Sequence, residues 1–78
     1  MNETAEKVEE ARALLASGRE PQATKILADA IDATDDPELL REILELAVEG
    51  HERSSGMHKI HWHELMIDAE ARQAHSVA

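Results

Sequence analysis

The residues best suited to chemistry in this chain are crowded into one short run. His58, His61, His63 and Glu64 fall within the stretch HKIHWHE, and Asp68 and His75 follow. Imidazole and carboxylate together are a donor set that suits zinc, iron or manganese. At 100° per residue, His61 and Glu64 are neighbours three apart and Glu64 and Asp68 are four apart. His75 lies two turns further on, so His61, Glu64, Asp68 and His75 form one stripe of a helix. A straight helix lets only two adjacent donors converge, whereas a tetrahedral site needs three or four. Two histidines four apart, the zinc-protease spacing, do not occur, and neither does the Glu-x-x-His order of di-iron bundles. A complete site at this stripe therefore requires a second chain that brings its own His61 and Glu64 across a dimer interface. The same run offers pH sensing: protonating all five histidines takes residues 51–78 from −1 to +4, beside a first part at −8.

Other chemistries find little to work with. The chain has no cysteine, which removes thiolate ligands, disulfides and a thiol nucleophile, and makes a reducing, cytoplasmic setting the expectation. Ser17, Ser54, Ser55 and Ser76 fall near expected helix ends or the terminus, without a histidine and an acid at triad spacing. Gly-rich phosphate loops and nucleotide fingerprints are missing. An enzyme is not expected.

The scaffold for these residues reads as helical throughout. Ala, Leu, Glu, Ile and Asp dominate, with three glycines, two prolines and neither Phe nor Tyr. The expectation is an all-α single domain, a small bundle or stack of helical hairpins with three to four helices, over 3–17, 21–34, 37–49 and 57–74. Asn2 or Thr4 caps the first helix, and Ser17-Gly18 ends it, with Val8, Ala11, Leu14 and Leu15 as its buried stripe. Pro21 opens the second, where Ala23, Ile26, Leu27, Ala30 and Ile31 recur at helical spacing. Asp36-Pro37-Glu38 supplies the third with a cap, a first-turn proline and a first-turn acid, and Gly50 ends it. Residues 50–56 read as a polar connector in which Ser54 or Ser55 caps the last helix.

That last helix has two apolar sides. Ile60, Ile67, Ala71 and Ala74 fall on one, and Trp62, Leu65, Met66 and Ala69 fall nearly opposite. One side can face the core and the other must meet something else. A stripe centred on Trp and Met has the composition of a docking surface, so Trp62, Leu65, Met66 and Ala69 are the expected contact for a protein partner or a second copy.

Charge constrains the partner. Residues 1–50 hold 13 of the 17 acids against five bases, and the whole chain carries −9. Such a surface repels phosphate backbones, and a lone aromatic residue cannot build a base-stacking platform, so direct nucleic-acid binding is not expected. Glu38, Glu42, Glu45 and Glu49, spaced four, three and four, form an acidic ridge on the third helix. A ridge of this kind suits an acidic inhibitor or antitoxin-like protein that masks a basic surface. The acid-rich opening residues hold no apolar run, so neither a secretory signal nor a membrane span is expected.

The run from Leu14 to Ala23, with Ser17-Gly18-Arg19-Glu20-Pro21 at its centre, followed by Leu27, Ala30 and Asp36-Pro37, resembles one tetratricopeptide repeat over residues 11–37. Gly18, Ala23, Leu27 and Ala30 match the family's turn glycine and its small and large apolar positions. Lys7 and Glu10 stand where the family places large apolar residues, Pro37 falls about two residues late, and Ser55 stands where a second repeat has alanine. The resemblance implies a helical-hairpin scaffold for protein–protein interaction and carries no catalytic residues. Together these readings point to an acidic helical interaction module, with a metal- or pH-responsive oligomer and a basic-surface inhibitor as the alternatives.

Overall fold

The computed structural model describes residues 3–77, and these form four helices with no strand among the described residues: α1 Glu3–Ala16, α2 Glu20–Ala33, α3 Pro37–Arg53 and α4 Met57–Val77. The all-α expectation holds. The chain makes two helical hairpins, α1 with α2 and α3 with α4, packed on each other.

Local chemistry sets most of the boundaries. Gly18, at φ +79°, turns the chain after α1, and Arg19 N–H donates to the Leu14 carbonyl at 2.8 Å, as in a glycine-terminated helix end. Proline sits in the first turns of α2 and α3. At the start of α3 the Asp36 carboxylate accepts from Glu38 N–H at 3.0 Å, the cap anticipated from the sequence. The expected cap Asn2 lies outside the described residues, and Thr4 lies within α1 as a buried residue instead of capping it.

The third boundary differs from expectation. Instead of stopping at Gly50, α3 continues through His51, Glu52 and Arg53, and the connector shrinks to three residues. Gly50 is buried inside the helix against the indole of Trp62. Ser54 ends α3 instead of capping α4, its N–H donating to the Gly50 carbonyl at 3.0 Å, and Gly56 at φ +62° makes the turn into α4.

The core follows the apolar spacing. Val8, Ala11 and Leu15 of α1 meet Ala23, Leu27, Ala30 and Ile31 of α2, and Leu39, Ile43, Leu46 and Ala47 of α3 close over them. Leu14, Ile26 and Leu44 pack half-buried at its margin. Each large side chain buried in this way contributes about 1.5–3 kcal/mol of transfer free energy.

Two arginines lock the second hairpin to the first. Arg53, at the end of α3, donates to the Leu15 carbonyl at 2.9 Å. Arg72 of α4 donates to the Ile31 carbonyl at 3.2 Å and pairs with Asp32 at 2.9 Å and Asp68 at 3.0 Å. The accepting carbonyls belong to the last turns of α1 and α2, at the negative ends of the helix dipoles, and that of Leu15 also accepts from Gly18 N–H at 3.1 Å. These contacts place the C-terminal ends of α1 and α3 together, and α2 runs in the same direction as α4, with Pro21 and Thr24 beside His58 and His61.

Candidate functional site

The structure decides which side of α4 faces inward. Trp62 is fully buried, Ala69 and Leu65 are buried with it in the shared core, and Met66 packs half-buried at the edge. This corrects the expectation that Trp62, Leu65, Met66 and Ala69 form an exposed docking face. The physical reason lies on α3: Gly50, without a side chain, leaves a notch into which the indole fits, and no other residue type would admit a ring so close to the backbone. The Trp62 Nε1 and Ser54 Oγ atoms are buried without a hydrogen-bond partner. Apolar burial of the ring outweighs the penalty of about 1–3 kcal/mol for an unmet donor.

The opposite side of α4 is consequently the one left open. Met57, Ile60 and Ile67 are 76%, 57% and 55% exposed, and Ala71 and Ala74 are exposed on the same side. In sequence, Met57, Ile60, Glu64, Ile67, Ala71 and Ala74 alternate spacings of three and four, the 3.5-residue repeat of a helix seam. Five of the six are apolar. That repeat was the signal available in the sequence for this surface, and the bulk of Trp62 obscured it.

The metal stripe does not assemble within one chain. His61, Glu64 and Asp68 line a groove against Thr24, Lys25 and Ala28 of α2, whereas His75 lines a different hollow beside Thr34, Leu40 and Arg72. Among the described residues no three histidines or carboxylates gather as a metal site. Asp68 is engaged by Arg72, and Lys25 brings a positive charge to the groove. The Arg72 guanidinium is held above its ordinary value, first by the side-chain hydrogen bond to Asp68 and then by the charges of Asp68 and Asp32, against a partial desolvation that lowers it.

The other histidines flank the open face. His63 is exposed on the α3 side of α4, with its ring 6.1 Å from that of His51, and His61 is exposed on the α2 side. Of the four acids read as a ridge on α3, Glu38 and Glu45 are exposed, Glu42 and Glu49 are half-buried, and Glu49 pairs with Arg53 at 3.1 Å. No helix among the described residues is long and apolar enough to cross a membrane.

No protein-family model, curated protein or solved structure matches the chain.

Proposed function

We propose that this protein is a small helical interaction module that binds another protein through the outer face of α4, centred on Ile60 and Ile67. The observation that carries the reading is the exposure of both isoleucines on a helix whose other side is fully used by the core. Large apolar side chains aligned along one helix stay in water at a cost, and a partner helix is the usual means of covering them. The resemblance of residues 11–37 to a tetratricopeptide hairpin, a scaffold for protein–protein interaction, agrees with this role. A chain without cysteine suits the reducing cytoplasm, and −9 of charge disfavours a nucleic-acid ligand. On this reading the module acts by binding; among the described residues no group of three histidines or carboxylates forms a metal site.

A pull-down from the native cell extract, combined with the solution mass from light scattering, tests the reading. Wild-type protein should associate with itself or retain a defined partner, and Ile60→Lys/Ile67→Lys should abolish this while the helical circular dichroism stays unchanged. Association that survives both substitutions, or no association of any kind, overturns it.

A further inference from the structure

The outer face of α4 is complementary to itself, and we infer that its occupant is a second copy of this chain, laid antiparallel along α4. The inference rests on the reading of the outer face as an interaction surface and names its partner. A two-fold axis perpendicular to the two helices returns each flank of the seam to itself, so residues on the α2 side meet residues on the α2 side of the partner. Aligning the three-and-four repeat in antiparallel register sets Met57 against Ala74 of the second copy, Ile60 against Ala71 and Glu64 against Ile67, and the axis repeats each layer. In that register the α2-side flank places His61 beside Asp68 of the second copy, and the α3-side flank places His63 beside Glu70. Each pair occurs twice, which gives four histidine–carboxylate pairs bordering six layers.

The parallel alternative is worse at one layer. It stacks Glu64 directly on its own copy in the centre of the seam, where two carboxylates repel and lose water together. The antiparallel register moves the two Glu64 side chains out of the same layer and lets each methylene stem lie along Ile67, with its charged end free to reach water. His63 and Glu70 are both exposed and free to turn toward the second copy, and Arg72 leaves Asp68 further acceptor capacity. The groups facing these histidines from neighbouring elements are Lys25 of α2 beside His61 and His51 of α3 beside His63. The seam from Met57 to Ala74 is about 25 Å long at 1.5 Å per residue, enough for a reversible dimer and short for an obligate one.

Sedimentation equilibrium of the full chain, from about 1 μM to about 1 mM, tests the inference. Wild type should pass from monomer to dimer across that range, and Ile60→Lys/Ile67→Lys should remain monomeric with unchanged helicity. Glu70→Lys alone sets His63 against a lysine, and His63→Glu alone sets a glutamate against Glu70, so each variant should dimerise about fivefold or more weakly than wild type. Mixed in equal amounts, the two variants should form a heterodimer of near wild-type affinity. In it the introduced lysine of one chain faces the introduced glutamate of the other, and the native His63–Glu70 contact forms at the remaining position. A parallel dimer gains no such rescue, since there the introduced lysine would face His75 and the introduced glutamate would face Asp68. A mixture that fails to recover overturns the antiparallel register. A wild type that stays monomeric throughout overturns the second copy as occupant and leaves the outer-face reading to the pull-down. A dimer indifferent to Ile60→Lys/Ile67→Lys overturns both.

Discussion

A Cβ placed on Gly50 would lie 2.5 Å from both Cδ2 and Cζ2 of Trp62, and closer still to Cε2. This glycine sits in the helix because a ring occupies the place of its side chain, and not because the backbone needs an unusual angle. Gly50→Ala should therefore push α3 and α4 apart. Overpacking costs about 1–3 kcal/mol and the better helix propensity of alanine returns up to about 1, so a net loss of about 1–2 kcal/mol is expected in urea unfolding. A variant as stable as wild type would show that the two helices part without penalty.

Trp62 is the largest of the fully buried side chains, and its removal should be felt by the whole fold. Trp62→Ala is expected to cost about 3–5 kcal/mol, a large share of the stability of a domain this size, and to lose most of the helical circular dichroism at 25 °C. Trp62→Phe keeps most of the apolar area and deletes the unbonded Nε1–H, so it should cost clearly less. An alanine variant that keeps full helicity would remove Trp62 from the core.

Arg72 ties α4 to the end of α2, and Arg72→Met should lower Tm at neutral pH. Its folded-state value is raised, so the stability it brings is fully present below the unfolded value and is lost only as pH climbs through the folded one. The Tm difference between wild type and Arg72→Met should hold constant from about pH 7 to about pH 10, below arginine's titration range. It should narrow at about 1 M salt, where the Debye length falls to about 3 Å. A gap that closes by about pH 10 would contradict this account.

Arg53 serves the end of α1 through a single bond to a backbone carbonyl. Arg53→Met is expected to cost about 1 kcal/mol, at the low end for a charged hydrogen bond because the side chain is half exposed. Hydrogen exchange should locate the loss, with amides of the last turn of α1 exchanging faster and those of α2 unchanged.

Asp36 is the cap whose side chain bonds the first turn of α3. Asp36→Ala should cost about 1 kcal/mol, and Asp36→Asn, which keeps an accepting oxygen, should recover most of it. For a chain of this length the alanine variant should melt about 4–8 °C lower in a thermal scan.

Local signals in the sequence were sufficient for α2 and for the start of α3. Ala23, Leu27, Ala30 and Ile31 recur with helical period, and Asp36-Pro37 announces a helix start within three residues. The end of α3 was hidden because glycine terminates helices far more often than it continues them, and only a distant residue, Trp62, explains its presence here. The inward side of α4 was hidden for the same reason. Its two apolar sides are similar in composition, and the choice between them is made by the notch at Gly50, twelve residues upstream on another helix. The arginine ties to Leu15 and Ile31 are likewise long-range and leave no trace in local pattern.

The burial of Trp62 also fixes what light can report about this molecule. The chain has no tyrosine or phenylalanine, so its near-ultraviolet absorption and its intrinsic emission both come from one ring enclosed in the core. That ring lies on the far side of α4 from Ile60 and Ile67. Its fluorescence is therefore a direct gauge of global unfolding, and a companion docked on the outer face passes unseen until a label is placed there.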